Sequence, residues 1–179
     1  MYIAKSKVIS TKRQMFYGFL FTSASGVILH YLYEWTGRST TVSLFSPINE
    51  SPWEHLKIIF FPILFFLIIQ LVYLRCKKII LHNLTWFSAL SAVIAMSFIT
   101  VAYYTFVGIT GMNVGWYNIS LFFIASAIAY FFNYRMVKGH SKRIPLSGVY
   151  GFFIFLIFIV IFVVFTLSPP DIPWFVAPQ

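Results

Sequence analysis

Residues 56–74 read LKIIFFPILFFLIIQLVYL and run directly into Arg75-Cys76-Lys77-Lys78. Nineteen residues that are apolar apart from Lys57, Gln70 and the Tyr73 hydroxyl are long enough, as an α-helix, to cross a hydrocarbon core of about 30 Å. The basic cluster that closes the stretch is the kind that holds one end of a spanning helix in the cytoplasm. Four further apolar stretches lie on either side of it, at about 15–33, 84–107, 116–136 and 149–167. A spanning segment must satisfy its own backbone hydrogen bonds, and these stretches are far too long for barrel strands. The pattern predicts an all-α, polytopic membrane helix bundle of five transmembrane helices, a single integral membrane domain over 1–179.

Composition agrees. Of 179 residues 60% are hydrophobic and 9% charged, whereas a soluble domain carries about 25% charged residues to cover its surface. The net charge of +9 is not gathered on a reader helix or an RNA-binding sheet, so no nucleic-acid partner is expected. The expected surroundings are a lipid bilayer. Cys76 is the only cysteine, which excludes an intrachain disulfide and a cysteine-based zinc site.

Eleven of the thirteen Lys and Arg residues fall on one side of the five spans: Lys5, Lys7, Lys12, Arg13, Arg75, Lys77, Lys78, Arg135, Lys138, Lys142 and Arg143. The positive-inside rule places that side, with the N-terminus, in the cytoplasm and the C-terminus outside, as expected of a multi-pass plasma-membrane protein. Glu34, Glu50, Glu54 and Asp171, all the acids of the chain, fall on the outer side. Of the two remaining cations, Lys57 is expected to snorkel to the outer interface or to pair with a nearby acid. Small residues, Ser88, Ser91 and Ala95 in the third span and Ala125 and Ala129 in the fourth, mark faces where helices approach closely. The fifth span carries Phe rings around its circumference and reads as largely lipid-facing. Gln70 and Asn133 stand isolated, so no polar stripe marks a channel. Pro62 removes a hydrogen bond inside the second span and predicts a kink.

The chemistry concentrates in Ser46-Pro47-Ile48-Asn49-Glu50-Ser51-Pro52-Trp53-Glu54-His55-Leu56-Lys57. Ser51, Pro52 and Glu54 fit the N-cap, N1 and N3 positions of a capping box, which assigns Glu54 a structural role; Glu50 and His55 have no such explanation. His30 and Glu34, four residues apart, share one face of the first helix. If the second helix packs beside the first, His30, Glu34, Glu50, Glu54 and His55 meet at one level, where imidazoles and carboxylates are competent ligands for a divalent metal. All five at headgroup level among the interfacial Trp35, Trp53, Trp116 and Trp174 is the plainer arrangement. The Gly108, Gly111, Gly115 loop around Asn113 reads as a flexible turn.

The run from His30-Tyr31-Leu32-Tyr33-Glu34-Trp35 through Asn49-Glu50-Ser51-Pro52-Trp53-Glu54-His55 resembles a family of small, functionally uncharacterised bacterial membrane proteins, common in Gram-positive anaerobes, with an Asn-Glu-Ser-x-Trp-Glu-His signature. The ending Phe165 to Phe175, with its Pro169-Pro170 pair, is similar to that group's C-terminal segment. The resemblance implies that Asn49, Glu50, Trp53, Glu54 and His55 form a characteristic site, and it implies no activity. One departure is the end: Val176-Ala177-Pro178 stands where an Asp before the Pro is expected.

Three functions compete on these residues. The first is binding or transport of a cation or small polar solute in an outer pocket built from the first two helices and the C-terminal tail. The second is a metal-dependent hydrolase of lipid or lipid-linked substrate, with His30, Glu34 and His55 as metal ligands and Glu50 as general base. The third is a structural subunit, a homo-oligomer or part of a larger membrane complex, which the small-residue faces would serve.

Overall fold

A computed structural model describes residues 2–140 and 142–177, with side chains from residue 12 onward; the side chains of Lys5 and Lys7 and the terminal Pro178 lie outside the described residues. Among the described residues seven helices follow one another: α1 (Tyr2–Trp35), the single turns α2 (Thr40–Ser43) and α3 (Pro52–His55), α4 (Lys57–Cys76), α5 (Leu84–Thr110), α6 (Gly115–Gly139) and α7 (Ser147–Leu167). Among the described residues five stretches are long and apolar enough to cross a membrane: Lys12–Trp35, Pro52–Cys76, Leu84–Thr110, Gly115–Gly139 and Ser147–Leu167. They cover the five expected spans. Short connections alternate between the two ends of the bundle, so the basic connections 77–83 and 140–146 share one end and the segments 36–51 and 168–177 share the other. These are called below the basic end and the site end.

Helices α1, α4, α5 and α6 close a ring in which each packs against two neighbours, and α7 lies outside it against α5 and against α4 through Phe60. The expected close approaches occur within this chain: Ser88, Ser91, Ala95, Ala125 and Ala129 are all buried. Small side chains permit this because helices in lipid associate by packing and polar contact. Gly18 and Gly26 do the same for α1, a Cβ at Gly18 running into the rings of Tyr130 and Phe66 and one at Gly26 into Phe122. On α7 the stripe Gly151, Phe155, Phe162 and Thr166 is buried while Phe152 and Phe153 are exposed. The fifth span therefore has a protein-facing side that its evenly spread rings concealed.

Gln70 and Asn133 are not isolated. Gln70 Nε2 donates to Gln14 Oε1 at 3.1 Å, Asn133 Nδ2 to Ser88 Oγ at 2.9 Å, and Thr22 shares a 2.8 Å hydrogen bond with Tyr130. Each pair joins two helices, since a polar group in hydrocarbon must find a partner in the protein. At the basic end Asn83 Oδ1 accepts from Ile144 N and Ser147 Oγ while its Nδ2 donates to Lys142 O, tying the α6–α7 connection to the start of α5.

Pro62 sits inside a continuous α4; the break in this span lies earlier, at Leu56. Lacking an N–H, Pro62 leaves the Ile58 carbonyl without its usual helical donor. That carbonyl abuts Gly26, where a Cβ would stand 2.7 Å from it.

Gly151 and Gly148 provide a matched test of α7 packing. A Cβ on Gly151 would lie 2.6 Å from the backbone of Thr85, whereas nothing lies within 4 Å of one on Gly148. Gly151→Ala is expected to destabilise the detergent-solubilised protein by about 1–3 kcal/mol, and Gly148→Ala to leave it unchanged or slightly stabilised. Denaturation by SDS, followed by loss of helical circular dichroism, measures both.

Candidate functional site

The site end is built on the segment between α1 and α4. Helix α1 stops in a left-handed turn at Gly37 and Arg38 (φ 64° and 62°), from which Arg38 folds back onto Glu34, Nε to Oε1 at 3.3 Å. Ser46, fully buried, pins the returning chain to α1: its hydroxyl accepts from Tyr33 N at 3.2 Å and donates to Leu29 O, across the rung of the helix next to His30. Asn49 Oδ1 accepts from Ser51 N at 2.9 Å, an Asx turn that presents Glu50. Ser51 then caps α3, its Oγ accepting from Glu54 N at 3.3 Å with Pro52 at the first turn.

Half of the expected capping box is present. The Glu54 side chain does not return to the cap; it is buried, its Oε2 accepting from Lys57 Nζ at 2.6 Å and from Ile48 N at 3.0 Å, its Oε1 lying 3.2 Å from Thr166 Oγ1. Lys57 does not snorkel to the interface. It is 0% exposed and donates also to Ser43 O at 2.8 Å and Ser46 O at 3.5 Å. Consecutive helical residues point about 100° apart, so while Glu54 turns inward toward α7, His55 faces α1.

There His55 meets His30, with ring centroids 5.2 Å apart, and Glu50, with Nε2 3.2 Å from Oε2. One ligand atom each from His30, Glu50 and His55 lies within 4.8 Å of the others. The His55 Nδ1 lies 3.0 Å from Ser51 O, and a carbonyl only accepts, so Nδ1 carries hydrogen and directs Nε2 at Glu50. A backbone carbonyl behind one ring nitrogen is how proteins orient a histidine whose other nitrogen ligates metal. The hydrogen bond to His55 lowers the Glu50 carboxyl below its ordinary value, against the smaller opposing effect of partial burial and with further help from the charges of His55 and His30. His30 Nδ1 is buried without a hydrogen-bond partner.

The three side chains line one end of a cavity of about 490 Å³. Its other walls come from Gly26, Val27 and Tyr31 of α1, Ile58 of α4, Ile99 and Tyr103 of α5, and Asn113 to Phe123 around the start of α6. The α5–α6 connection, expected to be only a flexible turn, thus supplies Asn113 and Asn118. Asn118 Nδ2 donates to Asn113 Oδ1 at 2.8 Å, and its own Oδ1 is buried and unpartnered. No sequence signal marked this wall, because isolated Asn residues near a Gly-rich turn read as turn chemistry.

The remaining residues singled out in the sequence lie elsewhere. Glu34 is one helical turn, about 6 Å, beyond His30 and faces Arg38 in the open. Trp53 is buried among Phe162, Phe165, Trp174 and Phe175, with ring centroids 4.9–5.4 Å away, and its backbone N–H donates to Trp174 O at 3.1 Å. The C-terminal segment therefore docks on Trp53 and lines a second cavity, of about 410 Å³, with Tyr103, Tyr104 and Asp171, rather than the cavity of the histidines.

The family model for a family of unknown function, DUF6512, matches residues 3–178. The chain belongs to that family. No curated protein and no solved structure matches it.

Removing Lys57 tests how far that geometry depends on the buried pair. Lys57→Met leaves the Glu54 carboxylate buried without its cation and is expected to cost about 3–5 kcal/mol. Adding Glu54→Gln should restore most of that loss, because replacing a buried pair as a whole costs far less than breaking it. SDS titration of the two variants against wild type checks the ordering.

Proposed function

We propose that this protein binds a divalent transition-metal ion through His30, Glu50 and His55 at the extracytoplasmic end of the bundle. The observation that carries this reading is the convergence of two imidazoles and a carboxylate, within 4.8 Å of one another, on the wall of a cavity. A tetrahedral ion with bonds of about 2.0–2.2 Å needs these atoms drawn closer, and the exposed Glu50 side chain has the freedom to swing in. Three protein ligands on a cavity wall would leave a coordination position for a further molecule, as in open metal sites. Where metal is bound, it takes the place of the proton between His55 Nε2 and Glu50. The segregation of basic residues to the other end supports an extracytoplasmic site.

Binding is favoured over hydrolysis by the lining itself. Among the described residues of the cavity wall Glu50 is the one carboxylate, and as a ligand it cannot also serve as general base. Binding is favoured over a scaffold role because the small-residue faces that a partner helix would use are buried against the chain's own helices. Passage of the ion across the membrane would require α1 and α6 to part, since Phe122 packs on Gly26 beneath the cavity.

Purified protein stripped with chelator and titrated with zinc should take up about one equivalent. His30→Ala, Glu50→Gln and His55→Ala should each weaken uptake by more than about tenfold, a change of about 1.4 kcal/mol, while Glu34→Gln leaves it unchanged. Equal uptake by wild type and the His30→Ala, His55→Ala double variant would overturn the assignment.

A further inference from the structure

The cavity beside the histidines opens sideways. Seven of its lining residues are exposed: Glu50, Asn113 and Gly115 at the site end and, along the side, the apolar Val27 (46%) and Tyr31 (49%) on α1 and Ile119 (62%) and Phe123 (37%) on α6. On α1, Tyr31 and Val27 lie four and eight residues inside Trp35; on α6, Ile119 and Phe123 lie four and eight residues inside Gly115. At 1.5 Å per residue both pairs sit about 6 and 12 Å below the helix ends, beneath the level of the exposed Trp35 and Trp116 that mark an interface. In a bilayer, an exposed side chain at that depth faces acyl chains. At the depth of the lower pair α1 and α6 touch at Gly26–Phe122, and farther down at Gly18–Tyr130, so the gap has a floor.

A water-filled solute site has no use for such an opening, whereas an amphiphile does. The cavity size lies in the ordinary range for a bound small molecule, about 300–1,000 Å³. Its lining is mostly aliphatic and aromatic, with polar side chains grouped at two places: His30, Glu50 and His55 and, around the start of α6, Asn113 and Asn118. A divalent ion with one carboxylate ligand keeps a net positive charge and accepts an anionic oxygen. The buried Asn118 Oδ1, an acceptor without a donor, calls for a hydrogen-bond donor on the guest, which a headgroup hydroxyl supplies without adding positive charge beside the ion, because leaving it unpaired is costly.

We propose that this cavity receives an anionic, hydroxyl-bearing lipid headgroup from the surrounding leaflet through the gap between α1 and α6. A headgroup oxygen completes the coordination of the ion and a headgroup hydroxyl donates to Asn118, while the acyl chains stay in the bilayer. The role given to the ion rests on the metal reading above. Lateral entry rests on the rim residues, and the two are separable by experiment.

The test uses full-length protein in phosphatidylcholine vesicles with zinc and a trace of phosphatidylglycerol carrying a photoactivatable diazirine near the headgroup. Crosslinks should concentrate in 26–31 and 118–123 and fall about tenfold with excess unlabelled phosphatidylglycerol, but not with added phosphatidylcholine or inorganic phosphate. Val27→Trp with Ile119→Trp fills the rim at exposed positions without touching a metal ligand. It should abolish the competed labelling and leave zinc uptake intact, which also shows that the variant is folded. Labelling spread evenly over the helices, displaced by inorganic phosphate, or unchanged in the rim variant would overturn the proposal, even if zinc binds. Competed labelling at the rim with no zinc uptake would instead remove the metal reading and leave the headgroup site.

Discussion

The site end of this bundle depends on a buried ion pair. Lys57 and Glu54, both withdrawn from solvent, are 2.6 Å apart, and between them they engage the carbonyls of Ser43 and Ser46, the amide of Ile48 and the hydroxyl of Thr166. Those partners belong to the segment returning from α1 and to α7. One pair therefore fixes the path of the loop that carries Glu50, the start of the second span and the last turn of the fifth. A buried pair of this kind contributes little net stability compared with apolar packing, but breaking it is expensive. Its structural value is that it tolerates a single arrangement of its neighbours.

That arrangement is what makes the histidine group chemically distinct. Glu50 is placed by an Asx turn, His55 by the first turn of α3 and by the Ser51 carbonyl, and His30 by α1 where Ser46 clasps it. Three side chains from three elements meet only because the loop between them is held. The same loop leaves one side of the group open to a cavity, and Gly26 with the Pro62-freed carbonyl of Ile58 forms its base. The His30, Glu50, His55 group, the cavity and its lateral rim lie in continuity within one end of the bundle.

Much of this was legible from residue types alone. His30, Glu50 and His55 stood out because ionisable groups near a membrane are costly and need a reason. The inclusion of Glu34 and Glu54 with them was a consequence of counting along the chain, where a residue one turn too far or one position away looks equally close. Helical geometry separates them: Glu34 overshoots by a turn and Glu54 points away from His55. Trp53 was grouped with the same site, and its place is under the C-terminal segment, which is visible only once α7 is beside α4.

The amino-acid sequence by itself determined the number of spans, their approximate limits and the segregation of charge between the two ends. These depend on the length and hydropathy of each segment against a hydrocarbon layer of given thickness, which is a local property. The tertiary structure alone decided which acid serves the histidines and which is locked to Lys57, that Asn113 and Asn118 form the opposite wall, and that Gln70 and Asn133 have partners. These depend on how each helix is rotated and which helix it touches. In lipid that choice is made by small residues and polar pairs spread over distant parts of the chain, so no single segment carries it.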